Sequence, residues 1–105
     1  NRSRMDISII SKTADDTIGK LNVYPRVHGD RSEVVIIGDP DGLRYLARLL
    51  DTIADFDQNS TDAPTGSREH THLVPSTHLG YYSTPVEVCR ADAKGTGELP
   101  EYMNE

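Results

Sequence analysis

One amphipathic helix constrains the fold of this chain more than any other segment of the sequence. Asp39 is a good N-cap residue, and Pro40 suits the first helical position because its missing N–H has no intrahelical partner there. Six apolar residues then recur at helical spacing and fall within one arc of about 120° at 100° per residue: Leu43, Leu46, Ala47, Leu50, Ile53 and Ala54. The pattern predicts a helix that ends near Phe56 or Asp57 and packs this arc against a core.

A second apolar stripe lies beside this arc and is formed by Tyr45, Leu49 and Phe56. Two interpretations stay open: these residues complete a wide core, or they form an exposed strip that binds a partner, as exposed apolar patches do. Tyr81 and Tyr82, in a later loop, add two amphipathic side chains suited to an interface. The candidate partner-binding residues are therefore Tyr45, Leu49, Phe56, Tyr81 and Tyr82.

Segments with the period-two alternation of strands flank the helix on both sides. They are residues 5–9, 21–27 and 33–37 before the helix, and 69–74 and 86–90 after it. Gly29 supplies the positive φ of a hairpin turn after the second segment, and the third is β-branched on both faces, as expected of a central strand. The predicted fold class is α+β: an antiparallel sheet of about five strands with one long amphipathic helix on one face, in the order β-β-β-α-β-β.

Length and charge limit the domain organisation and the classes of partner. The 105 residues suit one domain, which we place at residues 1–92, followed by a mobile acidic C-terminal tail at 93–105. The net charge of −6, from 17 Asp and Glu against 11 Lys and Arg, disfavours nucleic acid, and no apolar run approaches the ~18 residues of a membrane span. The single cysteine, Cys89, cannot form an internal disulfide, which favours a cytoplasmic location.

His70 and His72 are the candidate metal ligands, because side chains at i and i+2 share one face of a strand. A third ligand from Glu69, His78 or Glu87 would complete the protein ligands of a catalytic zinc site. The sequence has no Cys pair, His-Glu-x-x-His motif or Asp-rich loop beside them, so we expect no metal and no cofactor. Glycine-rich phosphate loops and nucleophile motifs are also absent, and we expect a non-enzymatic protein with no catalytic residues.

The order of these segments resembles a known family. Residues 36–50 read Ile-Ile-Gly-Asp-Pro-Asp-Gly-Leu-Arg-Tyr-Leu-Ala-Arg-Leu-Leu, and a polar loop, His70-Thr71-His72-Leu73, Leu79 and a short Val-rich strand follow. Over about residues 33–90 this pattern resembles small bacterial immunity proteins of polymorphic toxin systems. The resemblance implies a non-enzymatic inhibitor that binds and neutralises a toxin, and the acidic charge suits a basic toxin as the partner. The alternatives are an intracellular domain that homodimerises through the helix flank, and a small His-ligated metalloprotein.

Overall fold

The computed structural model describes residues 19–103, and the strand predicted at residues 5–9 lies outside this range. In chain order the described elements are β1 (Leu21–His28), β2 (Arg31–Gly38), α1 (Pro40–Asp55), a 3₁₀ turn (Gln58–Ser60), β3 (His70–Leu73), β4 (Val86–Cys89) and a second 3₁₀ turn (Glu101–Met103). No helix among these residues is both long enough and apolar enough to cross a membrane. One α-helix and two antiparallel pairs of strands confirm the α+β class.

β1 and β2 form the predicted antiparallel hairpin. Their pairing runs from Leu21 opposite Gly38 to His28 opposite Arg31. Gly29 has a φ of 69° at the turn, a value that costs glycine little and other residues more. The turn prediction is confirmed, and the hairpin presents one long two-stranded surface to the rest of the chain.

The start of α1 follows the sequence signals closely. Asp39 Oδ1 accepts hydrogen bonds from Gly42 N at 2.7 Å and from Lys20 N at 3.0 Å. The carboxylate therefore caps the helix and also fixes it to the residue that precedes β1. α1 ends at Asp55 with Phe56 as its C-cap, one residue short of the nearer predicted end.

The single five-stranded sheet is wrong for the described part of the chain. Residues 19–103 contain four strands in two separate antiparallel pairs, β1–β2 and β3–β4. The edge of β1 that a neighbouring strand would need is occupied by the connection between β3 and β4. Gly80 N donates to Leu21 O at 2.9 Å, and Thr84 N donates to Val23 O at 2.7 Å. This connection separates the two sheets. Among the described strands β2 pairs with β1 alone, so it is not a central strand.

The core forms where α1, the base of the hairpin, β3 and the following connection meet. Its buried residues are Leu21, Val23, Tyr45, Leu49, Ile53, Leu73 and Leu79. The buried face of α1 is rotated by about 90° from the predicted arc, counted at 100° per residue. Leu43 and Leu50, which the prediction placed in the core, are 46% and 42% exposed.

Arg90 connects the end of α1 to the strands. Its Nη1 donates to Ile53 O at 3.0 Å and to Phe56 O at 2.8 Å, which satisfies carbonyls at the C-terminal end of the helix. Its Nε and Nη2 form a bidentate pair with the Asp92 carboxylate at 2.8 and 2.6 Å. These hydrogen bonds lower the pKa of Asp92. A cation supplied from outside the helix thus stabilises the negative end of its dipole.

The predicted acidic tail begins inside the folded part of the chain. Ala93 is 5% exposed, and its N–H donates to Glu98 O at 2.9 Å. Lys94 N donates to Ser67 O at 2.7 Å, and Gly66 N donates to Lys94 O at 2.9 Å. The first residues of the predicted tail therefore pack against the loop between the first 3₁₀ turn and β3.

Candidate functional site

An apolar groove of about 400 Å³ lies between the hairpin, α1 and the second sheet. Its walls are almost entirely apolar, and six residues define it here as the hairpin groove: Val34, Ile36, Leu46, Leu50, Val86 and Val88. Contiguous exposed apolar surface is uncommon on a small protein and marks binding sites. The hairpin groove is the candidate functional site.

The groove exists because the core covers only one end of the hairpin. Alternate side chains of paired strands share a face, so Leu21, Val23 and Val27 of β1 line up with Ile36 and Val34 of β2. Leu21 and Val23, near the base, are 2% and 6% exposed, whereas Val27 and Val34, near the turn, are 74% and 69% exposed. α1 starts just after β2 ends and covers the base, which leaves the apolar surface open toward the turn.

The second apolar stripe of α1 is buried. Tyr45, Leu49 and Phe56 are 0%, 1% and 4% exposed. Of the two interpretations that the sequence leaves open, this burial agrees with a wide core and not with an exposed strip. Leu73 of β3 and Leu79 of the connection belong to the same buried cluster as Tyr45 and Leu49. Burial of such large apolar side chains stabilises the fold.

Tyr81 and Tyr82 are exposed, at 73% and 91%. Their rings meet edge to face, with centroids 4.8 Å apart. Neither residue lines the hairpin groove, so the fold does not bring them together with Val34 and Ile36. Their part in partner binding stays a prediction.

The sequence indicates exposed apolar surface on β2, although it does not predict the groove itself. Residues 34–37 are apolar on both faces, which is the pattern of a central strand. In a two-stranded hairpin such a strand leaves apolar side chains uncovered, and Ile36 and Ile37, on opposite faces, are each 53% exposed. The local pattern identifies the strand correctly, but it does not show which strands lie beside it.

The predicted metal ligands lie on the second sheet. His70 and His72 are on β3, and Glu87 of β4 lies directly opposite His72. Ligand atoms of these three residues lie within 4.8 Å of one another. Of the other two residues considered as a third ligand, His78 accepts a hydrogen bond from Val74 N at its Nδ1 (3.0 Å), and burial lowers its pKa. Glu69, the residue before β3, is buried.

Comparison with known families decides the classification. A family model described as Immunity protein 32 (Imm32) matches residues 33–90, more than half of the chain. The chain belongs to the Imm32 family. No curated protein and no solved structure matches it. The resemblance to immunity proteins inferred from the sequence pattern is therefore confirmed.

The Imm32 match has a clear relation to the fold. It begins in β2, contains all of α1 and β3, and ends one residue after β4. Nine of the thirteen residues that line the hairpin groove fall inside it, and the other four lie on β1. Most of the candidate site is therefore built from the matched segment.

Proposed function

We propose that this Imm32 protein is a non-enzymatic inhibitor that binds and neutralises a toxin protein, with the hairpin groove as its contact surface. The observation that carries the proposal is the open apolar groove, most of whose lining comes from the segment matched to an immunity family. Inhibition by binding requires a surface complementary to the toxin and no catalytic group on the inhibitor. The groove supplies such a surface.

The groove favours a toxin that inserts apolar or aromatic side chains. Its lining offers no side-chain charge, and Val34, Ile36 and Leu50 remain 42–69% exposed without a partner. Burial of this surface would contribute about 25 cal/mol per Å². Fully desolvated apolar anchors carry most of the binding energy of typical interfaces. We therefore place the energetic centre of the complex in the groove.

The charge of the chain supports a basic toxin. A net charge of −6 on 105 residues creates a field that attracts a cationic partner before contact. Such steering raises the association rate and weakens as salt screens it. A basic toxin therefore predicts an association rate that falls with ionic strength and a dissociation rate that changes much less.

Homodimerisation through the helix flank loses its basis, because Tyr45, Leu49 and Phe56 are buried within one chain. A dimer could still form through the groove, and it would hide the surface proposed for the toxin. Sizing of the free chain by light scattering separates these cases. We expect a monomer, and a stable dimer with a closed groove would contradict the proposal.

The proteins encoded beside this gene are the partners to test, and we expect a toxin among them. We expect calorimetry to give one-to-one binding at nanomolar Kd, and co-production of the chain to restore growth of cells that make the toxin. An inactive toxin variant gives the binding measurement without toxicity. A folded chain that neither binds the neighbouring toxin nor protects the cells would contradict the proposed function.

A further inference from the structure

The outer face of the second sheet carries a cluster of metal-ligating side chains that the inhibitor function does not use. In the β3–β4 register, His72 faces Glu87 and His70 faces Cys89. The alternate positions, Leu73, Val86 and Val88, point to the core or line the groove. We propose that His70, His72 and Glu87 bind one divalent transition-metal ion, and that Zn²⁺ fits them best.

The donor set matches zinc chemistry. Two imidazoles and one carboxylate are ligands that Zn²⁺ accepts readily, and three protein ligands leave a fourth position open. Zn–N and Zn–O bonds of about 2.0–2.2 Å place neighbouring donors of a tetrahedral site roughly 3.3 Å apart. The donors already lie within 4.8 Å of one another, so small side-chain rotations close the set.

The surroundings of His70 orient it for this role. Its Nδ1 lies 3.3 Å from the carbonyl oxygen of Arg68. Donation of an Nδ1–H to that oxygen leaves Nε2 as the nitrogen with a free lone pair, which is the usual arrangement of a metal-bound histidine. The His70 and His72 rings are close, with centroids 5.3 Å apart. The two rings therefore lie side by side, where both can reach one ion after small rotations.

His72 and Glu87 have no competing structural partners in the described range. The hydrogen bonds of residues 19–103 include none from the His72 ring or the Glu87 carboxylate. A metal ion would be their first strong partner. It would also join β3 to β4, two strands of only four residues each, and two-stranded sheets of this length are marginal on their own.

The position of the cluster separates it from toxin binding. Glu87 and Val88 are adjacent residues of β4 and project to opposite faces of the sheet. Val88 lines the hairpin groove, whereas Glu87 belongs to the metal cluster. The metal site and the groove are thus two surfaces of one sheet, and each can be altered without contact with the other.

The test is titration of tag-free, metal-stripped protein with Zn²⁺ alone at pH 7.5, followed by calorimetry and thermal unfolding. We expect one equivalent to bind and to raise the Tm, and amide exchange in residues 70–73 and 86–89 to slow. Because protons compete with the metal ion for histidine nitrogens, affinity should fall as the pH is lowered. Less than a tenth of an equivalent bound would overturn the proposal.

Matched variants separate a site from nonspecific histidine binding. H72A and E87Q, both at exposed positions, should keep the Tm of the metal-free protein and lose at least ten-fold in Zn²⁺ affinity. H28A removes an exposed histidine at the far end of the hairpin and should bind Zn²⁺ as the unmodified chain does. Equal affinities for H72A and H28A would contradict the assignment. These experiments measure Zn²⁺ affinity and Tm but not toxin binding. Their result therefore tests the metal site independently of the proposed inhibitor function.

Discussion

At the scale of single residues, the start of α1 depends on Asp39. Its carboxylate accepts N–H donors from Lys20 and Gly42, and these hydrogen bonds hold the pKa of Asp39 below the ordinary value of 3.8. A lowered pKa means that the folded state favours the ionised form. The stabilisation is therefore complete above about pH 4 and is lost as the pH falls through the lowered pKa.

Thermal unfolding across pH 2–7 tests this assignment. At pH 7 we expect Asp39→Ala to lower the Tm by about 4–8 °C, because the capping oxygen is removed. Asp39→Asn keeps a capping oxygen without the charge. It should stay near the unmodified Tm at pH 7 and show a weaker loss of stability below pH 4. An alanine variant with an unchanged Tm would contradict the capping role.

Gly42 is needed for space and not for backbone freedom. It is buried in the first turn of α1, and a Cβ at this position would overlap the carbonyl oxygen of Lys20. Helix propensity alone predicts that Gly42→Ala stabilises by about 1 kcal/mol. We expect the opposite sign, since the helix would have to move away from residue 20. Chemical denaturation measures whether the free energy of unfolding rises or falls. A stabilised variant would contradict this expectation, because it would show that residue 20 moves aside at little cost.

At the scale of elements, α1 has two neighbouring leucines in contrasting environments. Leu49 is 1% exposed and Leu50 is 42% exposed. Leu49→Ala should cost about 2–5 kcal/mol of the free energy of unfolding because it leaves a cavity in the core. Leu50→Ala should cost less than about 1 kcal/mol because much of its side chain is already in water. Denaturant unfolding measures both, and equal costs would contradict the helix orientation.

Local signals were enough to predict the elements but not the face that α1 buries. Asp39, Pro40 and Gly29 act through contacts with near neighbours, so the helix start and the hairpin turn could be predicted from sequence. Apolar residues cover well over a third of the circumference of α1, and a hairpin of two strands cannot cover them all. Which part is buried depends on where Leu73 and Leu79 pack, and this is a long-range property.

At the scale of the whole molecule, the connection between β3 and β4 decides the architecture. By bonding to Leu21 and Val23, residues 80–84 occupy the edge that a single sheet would have used. The sequence of this connection has no period-two alternation, so the strand patterns alone predict a single sheet. The groove could not be predicted for the same reason, because it is the space left where two small sheets and one helix meet.

Ile36 and Ile37 offer a direct test of whether the toxin binds in the hairpin groove. They are adjacent on β2 and equally exposed at 53%, but only Ile36 lines the groove. The decisive measurement is calorimetric titration of Ile36→Asp and Ile37→Asp with the cognate toxin, after both variants are shown to melt cooperatively. We expect Ile36→Asp to weaken binding by about 30-fold or more, whereas Ile37→Asp should stay within about three-fold. Equal affinities, or a larger loss for Ile37→Asp, would contradict toxin binding in the groove.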